Sequence, residues 1–414
     1  VRQAHVVGAG LAGLSAAMAL VEQGWRVTLY EGARWAGGRC RSYHDPQLDM
    51  VIDNGNHLVL SGNQAVRRYL RRIGAADALT GPRRAAFPFV DPAHDLRWTL
   101  RPNAGRIPWW ILSPRRRVPG TRPRDYLALA ALRRANRDQV IGDLVATRGK
   151  LWERLIAPLM VSVLNTAAER GSARLAGAIL DETLAKGGRA CRPLVATPTL
   201  SAAFIDPGLA WLERKGATVR FGARLKGIEA RQARVDALHF GTERIALAPE
   251  DRAILAVQPW IAAGLLPGLI VPTEHEAIVN AHFALPAPAG TPPITGVVGG
   301  TAEWVFAFPD RISTTTSAAG ELCDMNRDAL ASLLWKDVAR VLKLEGEMPR
   351  WQIVRERRAT FAATPAQDRL RPGAQTPLAN LLLAGDWTQT GLPATIEGAL
   401  RSGETAARLA GRGK

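Results

Sequence analysis

Residues 4–8, Ala-His-Val-Val-Gly, are an apolar run ending in glycine, and from Leu11 to Gln23 apolar residues recur at helical spacing until Gly24 breaks the pattern. A second strand-like run, Arg26 to Glu31, follows. Strand, helix and strand so closely spaced dictate a β-α-β unit, and hence a parallel sheet. The turn between the first strand and the helix reads Gly8-Ala9-Gly10-Leu11-Ala12-Gly13. In that setting Gly8 permits the tight turn, Gly10 lets backbone approach a pyrophosphate, and Gly13 lets the helix pack on the strand. The N–H groups around Leu11 and Ala12 open the helix toward the phosphates. Glu31, with Gly32 after it, ends the second strand where a carboxylate accepts hydrogen bonds from an adenosine ribose.

Two further elements narrow the dinucleotide to FAD. Gly37-Gly38-Arg39-Cys40-Arg41 stands just downstream: its glycines allow close backbone approach, and Arg39 can pair with a phosphate. Nicotinamide-binding domains do not need this element. Near the other end, Leu383-Ala384-Gly385-Asp386 reads as a strand running into a turn, and Gly391 to Ala399 opens a last helix. Asp386 is placed for the ribityl or phosphate region. Ala394, Thr395 and Ile396, at the helix N-terminus, are placed to stabilise negative charge on a reduced flavin. No second GxGxxG occurs, so one dinucleotide is expected.

Between these ends the pattern is mixed. Gln64–Leu79 reads as helix, 82–123 as irregular, and Arg124–Leu184 as a mostly helical cap. A helix at 209–213 and strands at 216–221, Arg224–Ile228, Val235–Phe240 and Ala253–Val257 follow. Further strands are expected at Ile278–Leu285, Val305–Phe308 and Asn380–Ala384, with helices at Arg327–Leu342 and Pro393–Leu409. The expected fold class is α/β, with a Rossmann-like FAD-binding domain.

The chain of 414 residues carries 54 Lys+Arg against 37 Asp+Glu, a net charge of +17, with 47 of the cations arginine. Such a charge favours anionic partners. Nucleic acid is not expected, because no zinc-finger spacing, ribonucleoprotein motif or regular interleaving of aromatic and basic residues is present. The densest basic and apolar juxtaposition is Arg106-Ile107-Pro108-Trp109-Trp110-Ile111-Leu112-Ser113-Pro114-Arg115-Arg116-Arg117. Two readings stand side by side: a peripheral membrane contact, since indoles and arginines suit the headgroup level, or a solvated loop whose tryptophans plug the core. No apolar run reaches the ~20 residues of a membrane span, and no signal peptide is read. Cys40, Cys191 and Cys323 are far apart, which argues against disulfides and suits a reducing, cytoplasmic compartment, with any membrane contact at its inner face. The seven histidines show no metal-binding spacing, so no metal is expected. Nothing in the sequence sets an oligomeric state.

The three FAD elements, in this order and at the two ends of the chain, resemble the FAD-dependent amine oxidase and desaturase superfamily. That resemblance implies an amine oxidase-like fold, in which a Rossmann-like FAD-binding domain, split in sequence over 1–80, 200–260 and 371–414, carries an inserted α+β substrate domain over 81–199 and 261–370. Ile52-Asp53-Asn54-Gly55-Asn56-His57-Leu58-Val59-Leu60, Leu164-Asn165-Thr166 and Ala256-Val257-Gln258-Pro259-Trp260 are similar, more narrowly, to the squalene-associated FAD-dependent desaturases. Asn56 departs from that family's pattern, where glutamine is usual. The resemblance implies reduction of hydroxysqualene, a long-chain isoprenoid alcohol, to squalene by FADH2 with release of water, in bacterial squalene and hopanoid synthesis. It implies that Asn54, Gly55, Asn56 and His57 face the flavin. His57 is then a candidate proton donor, or else a histidine that orients the loop. Cys40 lies beside the phosphate element and the C-terminal turn lacks cysteine, so the FAD is expected to be noncovalent. The motifs do not encode the direction of electron flow, which leaves open a desaturase or oxidase of another isoprenoid, an amine or a porphyrinogen. A non-catalytic flavin-binding scaffold is a further alternative.

Overall fold

In the computed structural model, which describes residues 2–412, the chain's two ends build one parallel sheet. Its strands lie in the order Thr218–Arg220, Arg26–Tyr30, Gln3–Val7, Arg252–Leu255 and Leu381–Leu383. The first helix, Leu11–Glu22, is apolar almost all round, and Leu14, Ala16, Ala17, Met18 and Leu20 are wholly buried, as a helix enclosed on every side requires. The terminal helix, Ile396–Gly411, packs on it at close range. A Cβ at Gly403 would stand 2.2 Å from the Ala12 carbonyl oxygen, and Ser15 Oγ donates to the Leu400 carbonyl at 2.9 Å. Small residues at this crossing bind the first and last segments into one body.

The second body is a seven-stranded sheet in the order Trp351–Phe361, His275–Phe283, Ile312–Thr316, Trp304–Ala307, Ile294–Val297, Phe87–Asp91 and Leu96–Leu100. Its pleat alternates clearly along His275–Phe283. Ala277, Val279, Ala281 and Phe283 bury against Leu330, Leu334 and Val338 of helix Arg327–Leu342, while Asn280 and His282 point to the other face. On that other side the cap's Leu132, Leu155, Ile156, Met160 and Leu164 join Phe89, Trp98, Trp304 and Phe306 in one apolar cluster.

The structure corrects several sequence expectations. The stretch 82–123 is not irregular throughout, since Phe87–Asp91 and Leu96–Leu100 form a hairpin. Pro88 and Pro92 obscure its alternation, and the turn is made by Asp95 in the left-handed region at φ +46°. The Gln64 helix ends at Arg72, before Gly74 at φ +76°, and Leu79–Thr80 is instead a short strand paired with Ala196 and Val195. Trp351–Phe361, the longest strand at 11 residues, was not expected. It carries Arg355, Glu356, Arg357 and Arg358 because it lies at a sheet edge, where charge discourages further pairing. The last helix starts at Ile396, not Pro393, because the Thr395 hydroxyl caps it by accepting from the Gly398 N–H at 3.0 Å.

Among the described residues no helix is long and apolar enough to cross a membrane, and no group of His, Cys, Asp and Glu could hold a metal. All three cysteines are buried and unpaired.

Candidate active site

The glycine turn shows why each glycine is required. Gly8 has φ +107°, and a Cβ there would lie 2.3 Å from the Ala256 carbonyl oxygen. A Cβ on Gly13 would lie 1.8 Å from the Gly8 carbonyl oxygen. Gly10 differs, for a Cβ there would meet no protein atom within 4 Å. The protein therefore needs glycine at 8 and 13 for its own packing, whereas at 10 it leaves a space that a side chain would fill. The helix behind Gly10 has no side-chain cap and no acidic residue in its first turn, so its N-terminal N–H groups keep their positive potential.

The other predicted elements gather around this turn. Gly37 N–H donates to the Ala9 carbonyl at 2.9 Å, and Gly37 and Gly38 both take positive φ, +104° and +55°. Glu31 accepts from the Ala9 and Ala33 N–H groups, both at 2.9 Å, so its carboxylate braces the turn it borders. Gly32 follows it against the Arg224 side chain. Arg39 meets both oxygens of Asp386, each at 2.7 Å, and also donates to the Ala359 carbonyl. This ion pair, made by one guanidinium nitrogen to both carboxylate oxygens, joins residues 347 positions apart in sequence. Ile396 shares a buried cluster with Ala9, Leu11 and Ala12, and Ala394 packs against the cluster beneath the cap. Gly385 donates its N–H to Ser402 Oγ at 2.8 Å.

Asn54, Gly55, Asn56 and His57 form the loop between these elements and the seven-stranded sheet. Asp53 before them is an anchor: it accepts from Ser42 Oγ at 2.6 Å, the Leu200 N–H at 2.9 Å and the buried Arg311 at 2.9 Å. Asn54 is buried and its N–H donates to the Arg41 carbonyl. The Asn56 side-chain amide donates to Ser313 Oγ at 2.9 Å, Thr315 Oγ1 at 3.0 Å and the Thr314 carbonyl at 3.1 Å. The last partner can only accept, which fixes the amide's orientation. His57 lies within electrostatic reach of Arg39, Asp53 and Asp386, and burial, then the Arg39 charge, holds its imidazolium below the usual range.

Some of the polar residues around the site carry no local sequence signal. Arg371 is buried and fans its guanidinium over the C-terminal turn. It donates to the Asp386 carbonyl at 3.0 Å, the Thr388 carbonyl at 3.0 Å, Thr390 Oγ1 at 2.8 Å and Asp368 at 3.0 Å. Asp368 also accepts from Arg174 of the cap. Glu397 accepts from the Ala65 and Val66 N–H groups at 3.0 Å, capping the helix Gln64–Arg72 from a distant segment. Asn165, by contrast, comes from the Leu164-Asn165-Thr166 motif; it accepts from the Ala318 N–H at 2.7 Å and donates to Thr360 at 2.9 Å, docking the cap on the sheet.

His282 had a faint signal, as a polar residue alternating with Asn280 in an apolar strand. Its Nε2 donates to the Asp53 carbonyl at 3.0 Å, which leaves Nδ1 to accept from Ser313 Oγ at 2.8 Å. Burial, then the Arg311 charge, pushes its pKa down to about 3. Since this folded value lies below that of the unfolded chain, the unfolded state binds more protons between the two, and stability falls as pH drops from about 6.5 toward 3. His282→Gln should therefore melt lower than wild type at pH 7 but show a flatter decline between pH 6.5 and 4. A parallel decline would remove His282 from the acid response.

The fold and the converging glycine and Arg39–Asp386 elements define a flavin-dependent oxidoreductase of the amine oxidase type. The chain belongs to the flavin containing amine oxidoreductase family, whose model matches residues 11–410. Within it the chain is a member of the hydroxysqualene dehydroxylase family. It is 51% identical over 409 residues to the hydroxysqualene dehydroxylase of Sinorhizobium fredii, covering 99% of this chain and 98% of that protein. It is 50% identical over 406 residues to that of Rhodopseudomonas palustris, covering 98% and 97%. An oxidoreductase from Methanosarcina mazei shares the fold at TM-score 0.75 and 14% identity, over 98% of this chain and 100% of that one. Putrescine oxidase bound to putrescine shares it at TM-score 0.70 and 15% identity, over 98% of both chains.

Proposed function

We propose that this protein binds FAD noncovalently and reduces hydroxysqualene to squalene, releasing water. The observation that carries the substrate is the near full-length identity of about half to relatives named for that reaction, since the cradle alone would suit any FAD enzyme. FAD fits the residues present: the side-chain-free space at Gly10, the uncapped helix behind it, the carboxylate of Glu31 and the close-packed Gly37–Gly38. In this reading Gly8, Gly10, Leu11, Ala12 and Gly13 hold the pyrophosphate. Asp386 and Ala394 to Ile396 hold the ribityl and flavin end. Noncovalent binding agrees with the buried cysteines: burial pushes the Cys191 thiol up to about 12 and the Cys40 thiol higher still. We assign 1–80, 200–260 and 371–414 to the cofactor and 81–199 and 261–370 to the substrate.

Bound and reduced, FAD would supply the hydride. The allylic C–O bond breaks, the hydroxyl takes a proton and leaves as water, and the hydride goes to the carbon left electron-poor. This chain must keep water from that carbon and deliver the proton. The apolar cluster of cap and sheet serves the first need, with Leu155, Met160, Leu164, Trp304 and Phe306. His57 is our candidate for the second. It would offer a ring N–H to the hydroxyl as a hydrogen-bond donor and, once protonated, pass that proton to the leaving oxygen as the C–O bond breaks, returning to the neutral ring that burial and the Arg39 charge favour. Asn54 and Asn56 fix the loop that presents it. An isoprenoid substrate resides in lipid, so we place a bilayer contact on 106–117, at the cytoplasmic face where free cysteines stay reduced. An oxidising enzyme acting on another isoprenoid, an amine or a porphyrinogen is not favoured by these relatives. Product analysis tests the direction: squalene should form from hydroxysqualene with reduced enzyme and not with oxidised enzyme.

A further inference from the structure

The segment 106–117 divides between adjacent tryptophans, one buried in the core and one exposed. Trp110 is 5% exposed and packs edge-on against Tyr126, ring centroids 5.2 Å apart. Trp109 is 51% exposed. Around it Ile107 is 79%, Leu112 66% and Leu127 71% exposed. Leu127 directly follows Tyr126, so the Trp110–Tyr126 contact brings its turn beside that of Trp109. These four large apolar side chains crowd into 107–127, while the other exposed ones, such as Trp35, Phe221 and Ile270, are scattered along the chain. Single exposed apolar residues need no explanation, but a cluster does.

The protrusion is built to hold its shape. Asn103 donates to the Gly105 and Ile107 carbonyls at 3.1 and 2.9 Å and accepts from the Trp110 N–H at 3.2 Å. Arg117 donates to the Ile111 and Leu112 carbonyls at 3.0 and 3.2 Å. Tyr126 Oη accepts from the Val118 N–H at 2.9 Å. A loop tied down this firmly presents its apolar tips at no cost in ordering.

Its charge selects the partner. Arg106, Arg115, Arg116, Arg117, Arg122 and Arg124 lie in the same stretch against one acid, Asp125. Among the described residues none of Arg106, Arg115, Arg122 and Arg124 is within ion-pair distance of a carboxylate. The Arg116 guanidinium lies 4.5 Å from the centre of the Trp109 ring, pairing a cation with an indole as the headgroup level favours. We propose that Ile107, Trp109, Leu112 and Leu127 insert into an anionic phospholipid surface while the surrounding arginines meet its headgroups. This deepens the bilayer contact of the functional reading, but it draws on the surface alone, so binding is scored without turnover.

Sedimentation with vesicles of phosphatidylglycerol and phosphatidylcholine tests it on the flavin-loaded protein. Wild type should bind the mixed vesicles and bind neutral phosphatidylcholine vesicles far less. The variant carrying Ile107→Ser, Trp109→Ser, Leu112→Ser and Leu127→Ser should lose about tenfold or more in vesicle affinity with unchanged flavin content. Arg106→Gln, Arg115→Gln and Arg124→Gln together should lose about a hundredfold at low salt, and much less at high salt where the wild type is itself weakened. A polarity-sensitive dye on Trp109→Cys should shift its emission to the blue with mixed vesicles. Undiminished binding by the serine variant, or no shift of the dye, would overturn insertion. Concentration-dependent dimers that the serine variant abolishes in the absence of lipid would assign the patch to a second copy of this chain instead.

Discussion

Gly10→Leu should yield a folded but colourless protein. The Cβ at this position meets no protein atom within 4 Å, so the sheet and both flanking helices can assemble around a larger side chain. What the side chain would occupy is the space where backbone is expected to meet the pyrophosphate. We expect FAD affinity to fall at least about a hundredfold, or about 2.7 kcal/mol, with melting close to that of the wild-type protein stripped of flavin. Gly13→Val is the contrast. Its Cβ would stand 1.8 Å from the Gly8 carbonyl oxygen, and helix and strand cannot separate without opening the sheet, so this variant should fail to accumulate as folded protein. Flavin content and circular dichroism of the two variants check the pair. Gly10→Leu retaining wild-type flavin would show that nothing approaches the turn at that point.

Arg371→Ala should be among the most damaging single substitutions away from the glycine turn. It would strip the carbonyls of Asp386 and Thr388, the Thr390 hydroxyl and one oxygen of Asp368 of their donor, all in a buried setting. Asp368, wholly buried, would keep only Arg174 as an ion partner. Removing one member of a buried pair costs about 3–5 kcal/mol, much of it the desolvated charge left behind. Because the lost donors hold the turn that carries Asp386, flavin should be released before the chain unfolds. Urea denaturation and flavin fluorescence followed together would show the two events separating. Arg371→Lys keeps the charge without the fork and should fall between the two. Wild-type stability and flavin retention in Arg371→Lys would mean that the fork's several hydrogen bonds contribute little.

The cofactor end was legible because its constraints are local. Gly8 and Gly37 take backbone conformations that side chains rarely adopt, and Gly13 abuts the Gly8 carbonyl, reasons visible within a turn, and strand, glycines and helix follow one another in sequence. Gly385-Asp386 is legible as the end of a strand, but no spacing rule links Asp386 to Arg39, and only the assembled fold sets the two side by side. Other features depend on residues distant in sequence. His282 is tied to Asp53 across 229 positions, Glu397 caps a helix more than 300 positions earlier, and Arg371 has neighbours that no spacing rule links to it. The hairpin Phe87–Asp91 and Leu96–Leu100 and the charged strand Trp351–Phe361 were missed for a related reason. One takes its register from distant strands and the other is polar because it is an edge. Trp109 and Trp110 are the sharpest case, since adjacent identical residues have opposite surroundings that only Tyr126 and Asn103 reveal.

The claim that ties these features together is that the protein reduces an isoprenoid alcohol. The most direct measurement is a single anaerobic turnover: photoreduce the purified protein, mix it with hydroxysqualene in detergent, and follow flavin absorbance while extracting the lipid. The account predicts that oxidised flavin returns and squalene appears in equal amounts. Flavin that stays reduced in the presence of delivered substrate, with no squalene in the extract, would contradict it.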